Sequence, residues 1–316
     1  MVNIAFWSNQ LCERGTEVAL YDYALYNQEL LGNKSFIFYD KNNKNNNSEV
    51  LKKFNKEFIV YGVNSFQDVD NILVENSIPI IYIIKAGSSN DGIISKVAKN
   101  IIHCVFGCND PHGEVYCSIS PCVNGNNGKY KVLPHIVTLP NHNENMLNEL
   151  NIPEGSIVIG RHGGKDTFDI TLAHNEVYKI ARDRSDIYFI FVNTNKFCES
   201  LPNIIHIDNI IDLKEKRKFI NTCDAMLWAR KGGETFGLAI AEFSICNKPV
   251  IACKTGDLAH VHYLKDKGLW YSNNTELEYY IKNIKNISKD KDWNAYKDFS
   301  PDKVMMTFND ILNTLL

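Results

Sequence analysis

Residues 229–252 read ARKGGETFGLAIAEFSICNKPVIA, and the parsing of this stretch decides the fold. Gly232 and Gly233 mark a turn. The run from Phe236 to Ile245 is apolar apart from Glu242 and small polar Ser244, and Val250, Ile251 and Ala252 follow Pro249 as a short apolar strand. With the apolar Ala225–Trp228 ahead of it, the stretch is a strand, a tight turn, a largely buried helix and a second strand, the repeat unit of a parallel sheet. Thr235 is placed to cap a helix starting near Phe236. Glu234 then lies just outside that helix. Glu242 falls two turns further in, on the face shared by Thr235, Leu238 and Ala239.

The same alternation runs outward in both directions. NIAFW opens as a strand, and GTEVALYDYALYNQELLG places Val18, Tyr21, Leu25 and Leu31 at near-helical spacing with Gly32 as a stop. KSFIFYD, EVLKKFNKEF, IVYG, VDNILVENS, PIIYIIKA, SKVAKN, IIHCVF and VYCSIS continue it. From residue 120 the pattern weakens into Pro, Gly and Asn, then resumes at SIVIGR and runs through TELEYYIKNIKNIS. The reading predicts an α/β protein of two Rossmann-like domains, 1–150 and 151–298, and a helix over 299–316 returning to the first. Ligands of such sheets bind beyond the carboxyl ends of the strands, so those ends are expected to face one another across a cleft.

Composition excludes several classes of function. A net charge of −3 over 316 residues offers no basic excess for wrapping nucleic acid. No apolar run reaches the about 18 residues that a membrane helix needs, and no secretory signal is present, so a cytoplasmic protein is expected. Nine cysteines in such a chain are expected as reduced thiols. His103, Cys104, Cys108, His112, Cys117 and Cys122 crowd together, but no Cys-x-x-Cys occurs, and no zinc site is expected. Asp68 and Asp70 flank Val69 within a helical pattern rather than after a strand, which argues against a divalent-metal motif.

Three further loops could carry chemistry. Gly15 and Thr16 open the first long helix, where free N–H groups favour an anion, although on local evidence an ordinary helix start capped by Thr16 is the favoured reading. The three spaced glycines of a dinucleotide fingerprint are missing, against an NAD-linked oxidoreductase. His112 and Glu114 sit in a Pro/Gly loop after IIHCVF, where α/β domains present functional side chains, whereas His103 reads as a core residue. Arg161 and Lys165 emerge around Gly163 and Gly164, and a guanidinium with an ammonium suits a diphosphate.

GGETFGLAIAEFSICNKPVIA resembles the nucleotide-sugar signature of the retaining glycosyltransferases of GT-B architecture grouped as family 4. In that signature two glutamates, seven residues apart, bracket an aromatic-glycine turn. By this resemblance Glu234 contacts the donor sugar, the backbone at Thr235, Phe236 and Gly237 holds the diphosphate, and Glu242 binds the ribose hydroxyls. Arg161 and Lys165 neutralise the leaving diphosphate, and His112 lies near the transferred sugar. Lys231 rivals Lys165, which stands four residues after Arg161 where the family's basic pair usually stands five apart. The resemblance implies a metal-independent enzyme without a cofactor, whose partners are a nucleotide-sugar donor and a glycan or small-molecule acceptor. A nucleotide-sugar-binding protein without turnover, or an epimerase or phosphorylase on the same fold, remains an alternative.

Overall fold

Ile4, Ala5 and Phe6 are completely buried because their strand lies inside a sheet with both faces covered. In the computed structural model, which describes residues 1–316, this strand is β1 (Asn3–Ser8). It is followed by α1 (Gly15–Glu29), β2 (Lys34–Asp40), α2 (Ser48–Glu57), β3 (Ile59–Val63), α3 (Phe66–Glu75), β4 (Ile80–Lys85), β5 (Lys99–Cys104) and β6 (Val115–Ser118). All pair in parallel, in the order β3-β2-β1-β4-β5-β6.

SKVAKN, expected to alternate with the strands, forms no helix: residues 86–98 cross from β4 to β5 without one. Asp70 on α3 pins this crossover, accepting from Ser95 Oγ at 2.6 Å and Lys96 N at 3.2 Å. Asp68 accepts from the N–H groups of Asn64 and Ser65 ahead of its helix. Both carboxylates therefore have local structural work.

A second sheet is built from β7 (Ile157–His162), α4 (Thr171–Asp183), β8 (Ile187–Val192), β9 (Ile204–Ile207), α5 (Leu213–Thr222) and β10 (Ala225–Leu227). It continues through β11 (Gly233–Glu234), α6 (Leu238–Ile245), β12 (Val250–Ala252), β13 (Asp257–Leu258), α7 (Ala259–Leu264), β14 (Gly268–Trp270) and α8 (Asn274–Ser288). Its parallel order is β14-β12-β10-β7-β8-β9, with β11 and β13 forming a small ladder of their own. The fold is thus α/β with two parallel six-stranded sheets.

The chain divides into one unit of residues 1–136 with 298–316 and another of 137–297. Residues 137–150, placed before the junction by composition, belong with the second sheet. The Asn221 amide donates to the carbonyls of His142 and Glu144, and Met146 N donates to Thr222 Oγ1 at 2.8 Å. After α8, α9 (Pro301–Leu315) packs in the first unit, where Phe308 meets Tyr23, Tyr82 and Phe6 at ring separations of 5.3, 5.9 and 6.3 Å. No helix is long and apolar enough to cross a membrane.

Candidate active site

β7 and β10 are neighbours, with Ile159 opposite Ala225 and Gly160 opposite Met226, so the segments leaving their carboxyl ends emerge side by side. Gly160 has a packing reason: a Cβ there would lie 2.3 Å from Cys223 Sγ and 3.1 Å from the Phe219 ring. Arg161 follows it and is buried. Its guanidinium donates to the carbonyls of Asn193 and Gly164 and to the hydroxyls of Thr194 and Thr167. All four acceptors are neutral. Burial lowers the Arg161 pKa to about 10, with the Glu234 charge opposing the shift, so the side chain keeps its proton and a positive charge not met by a bonded carboxylate. Gly163 makes room for this arrangement, because a Cβ there would stand 2.9 Å from Arg161 Nη2.

Asp169 ties the loop after β7 to the loop after β10. Its N–H donates to Ala229 O at 3.1 Å, and its carboxylate accepts from Lys231 N at 2.7 Å. Lys231 therefore enters through its backbone, and both its side chain and that of Lys165 are exposed. Beyond the turn, Glu234 is held by Trp228 Nε1 at 3.0 Å and Arg230 Nη1 at 3.3 Å. Gly233 sits at φ 69°, and a Cβ on it would come within 2.1 Å of Asp257 N, so the β11–β13 ladder can close only on glycine.

The helix expected to start near Phe236 under a Thr235 cap starts at Leu238. Its N-cap is Gly237, left-handed at φ 87° and ψ 55°, with no side-chain cap. Thr235 lies outside the helix. Phe236 is buried beside Tyr263 and Tyr296, whose hydroxyl donates to Phe236 O at 3.2 Å. The cap fails because Gly237, free of Cβ, can turn the chain in a conformation that a threonine resists. The first N–H groups of α6 consequently have no side-chain acceptor of the usual capping kind.

Glu242 is buried inside α6. Lys216 Nζ on α5 donates to Oε1 at 2.8 Å. His162, directly after Arg161, brings Nε2 to 3.0 Å from Oε2, and both atoms are buried. Burial by itself would raise the Glu242 pKa. Lys216 first and His162 second outweigh it and hold the carboxyl well below the usual range. Burial lowers the His162 pKa against the pull of Glu242, and its ring stacks on Phe243 at 5.8 Å.

In the first unit, α1 begins after an N-cap at Arg14 that makes no side-chain hydrogen bond. Thr16 does not cap this helix. Its hydroxyl donates to Glu17 Oε1 at 2.8 Å, beside Ser8 Oγ at 2.8 Å, while Cys12 Sγ reaches Oε2 at 3.2 Å. Burial raises the Glu17 pKa against these hydrogen bonds. A Cβ on Gly15 would meet nothing within 4 Å. His112 lies in the loop after β5, with Nδ1 2.7 Å from Asp110 O and Nε2 3.3 Å from Lys85 Nζ. An ammonium can only donate, so Nε2 is the acceptor and Nδ1 carries the proton. Lys85 is buried and paired with Asp91 at 2.5 Å. Glu114 is tied to the start of β5 through Asn100 N at 2.5 Å. His103 is a core residue whose Nδ1 meets Tyr82 Oη at 2.5 Å. No group of three or more His, Cys, Asp or Glu is placed to hold a metal ion.

Arg161, at the carboxyl end of β7, and Glu234 and the start of α6, which follow β10, thus stand at the carboxyl ends of neighbouring strands of one sheet. Trp228, His162 and Lys216 join them unannounced by sequence. His162 is legible only as the residue after Arg161, and Lys216 is one cation among several on α5.

No family profile and no curated protein match the sequence. Solved structures do match the fold. HepE of Anabaena, crystallised with UDP-glucose, aligns over 99% of this chain and 100% of its own at TM-score 0.74 and 14% identity. A glycosyltransferase from Rickettsia africae aligns over 99% and 98% at TM-score 0.70 and 14% identity. Sucrose-phosphate synthase from Thermosynechococcus elongatus aligns over 100% and 99% at TM-score 0.70 and 12% identity. The chain has the fold of the GT-B glycosyltransferases.

Proposed function

We propose that the chain is a glycosyltransferase that moves a sugar from a nucleoside-diphosphate sugar to a glycan or small-molecule acceptor, with retention of anomeric configuration and without a metal ion. The observation that carries this reading is the buried Arg161 guanidinium, whose hydrogen-bond partners are all neutral. A buried charge needs a counterion, and a diphosphate supplies one.

The second unit's groups fall into a consistent division of labour. Arg161, with Lys165 or Lys231, faces the diphosphate, and the backbone of Thr235, Phe236 and Gly237 adds N–H donors at the head of α6. Glu234, oriented by Trp228 and Arg230, meets the donor sugar. Glu242, paired with Lys216, serves the ribose. As the glycosidic bond breaks, negative charge grows on the departing phosphate oxygen, and donors fixed beforehand stabilise it without reorganising. HepE, solved with UDP-glucose on the same fold, favours a nucleotide-sugar donor.

The test is a panel of UDP-, GDP- and ADP-glucose, read by thermal shift and by nucleotide release. A nucleotide at 100 times its Kd adds about 2.7 kcal/mol to stability. Binding with release in the presence of EDTA is the expected result, and the anomeric coupling of the product by NMR reports retention. Failure of every nucleotide to bind would overturn the reading, whereas binding without release identifies a binding protein.

A further inference from the structure

Two side chains hold the carboxylate of Glu234, and the segment leaving β12 backs both of them. Behind Arg230, Thr255 Oγ1 donates to its carbonyl at 2.9 Å. Behind Trp228 stands His260, completely buried at the start of α7, with the two ring centroids 4.2 Å apart and the planes tilted by 36°. His260 Nε2 lies 2.9 Å from the carbonyl of Cys253, the residue after β12. A carbonyl only accepts, so Nε2 carries the proton. Burial lowers the His260 pKa, against the pull of the Cys253 carbonyl and the Glu234 charge, and leaves the ring neutral near pH 7.

The backbone of Trp228 is fixed by its surroundings: its N–H donates to Ile251 O at 2.9 Å and its carbonyl accepts from Tyr271 Oη at 3.2 Å. The indole is not fixed by these bonds, because the outer torsion of a tryptophan has broad wells. Nε1 stays on Glu234 only while the ring is kept from turning, and the imidazole tied to the end of β12 lies against it. β12 pairs with β10, so both ends of this bracket are anchored on neighbouring strands.

We propose that His260 is a positioning residue for the transfer: by holding the plane of the Trp228 indole it aims Nε1 at Glu234 and so sets the direction of the carboxylate. This rests on the nucleotide-sugar reading above and adds to it a residue that stands behind the site. A reacting group must be kept within about 0.5 Å of its productive geometry by neighbours that are themselves locked. Loosening His260 should therefore cost turnover and spare the binding of a nucleotide that lacks the sugar.

The experiment measures, on the full chain, nucleotide release from UDP-, GDP- and ADP-glucose and, by calorimetry, the affinity for the corresponding diphosphates. His260→Gln keeps a donor for Cys253 O and removes the flat ring. Its kcat should fall about fivefold to tenfold, no further than in Trp228→Phe, with diphosphate affinity within about twofold of wild type. In a Trp228→Phe background the same substitution should change kcat by less than about twofold, because a residue acting through the indole N–H has nothing left to act through. If His260→Gln does not fold, His260→Phe keeps a ring but releases Cys253, and its smaller loss should likewise vanish in that background. A folded His260→Gln protein with near-native kcat overturns the proposal. So does a loss that persists without the indole N–H, or a diphosphate affinity that falls in step with kcat. A wild type that releases nucleotide from none of the three donors defeats the donor reading and this proposal together, whereas turnover that the His260 variants match defeats the proposal alone.

Discussion

Trp228 Nε1 donates to Glu234 Oε1 at 3.0 Å, so the acid proposed to face the donor sugar is aimed by the residue that directly follows β10. Arg230 holds the other oxygen at 3.3 Å. Trp228→Phe removes one of these bonds while keeping most of the aromatic packing. Turnover is expected to fall about tenfold, with the affinity for free nucleoside diphosphate within twofold of wild type. Glu234→Ala should show the same separation more strongly, because the diphosphate lacks the sugar it serves. Calorimetry and initial rates on the same preparations check this, and lost diphosphate binding in Glu234→Ala would reassign the acid.

Arg161→Ala should lower kcat about 10²- to 10³-fold, more than it raises the donor KM, if the guanidinium acts on charge that develops as the bond breaks. The variant should also be less stable by about 1–3 kcal/mol, because Thr194, Thr167 and two carbonyls lose their donor. Arg161→Lys is expected to recover part of the rate, since it keeps the charge but cannot span four acceptors. The same series at Lys165 and Lys231 identifies which exposed ammonium assists. A folded Arg161→Ala protein with near-native kcat would place the leaving group elsewhere.

EDTA is expected to leave transfer unchanged, and metal analysis of the purified protein to find no stoichiometric zinc. The outcome that counts against this is one zinc per chain that disappears, together with activity, in Cys108→Ser.

His103 gives the first unit a defined acid sensitivity. Its pKa falls from 6.5 to about 3 on burial. The unfolded chain therefore binds more protons than the folded one between those values, and the stability that the neutral ring provides is lost as pH falls through that window. One proton corresponds to a slope of at most about 1.4 kcal/mol per pH unit. His103→Gln keeps an acceptor for Tyr82 and cannot titrate, so its melting midpoint should fall less steeply from pH 6.5 to 4. Parallel pH profiles for the two proteins would refute the assignment.

Much of the fold is legible in the sequence because periodicity records which faces are buried: the apolar run of β1 and the turn, helix and strand of residues 232–252 are all where their patterns put them. The helix starts are less legible. Thr16 and Thr235 both fit a cap, yet Thr16 turns to a buried Glu17 and Thr235 is bypassed by a left-handed Gly237, choices that depend on neighbours outside the local window. SKVAKN carries helix formers but is held as an irregular crossover by Asp70, 25 residues before Ser95. The partners of Glu242 are the extreme case. Lys216 and His162 come from α5 and β7, and nothing in the pattern of either element distinguishes a lysine on solvent from one resting on a buried carboxylate.

The interruption of the first unit by the second has a consequence for the order of events on the ribosome. Phe308, whose ring closes the cluster of Phe6, Tyr23 and Tyr82, is synthesised only after all of residues 137–297 have been made. At about 5–20 residues per second, the opening sheet spends on the order of ten seconds with that face uncovered, while the second unit emerges as one uninterrupted stretch. The later-made unit can therefore finish first. In living cells, chaperone dependence and proteolysis should concentrate on residues 1–136 during that interval.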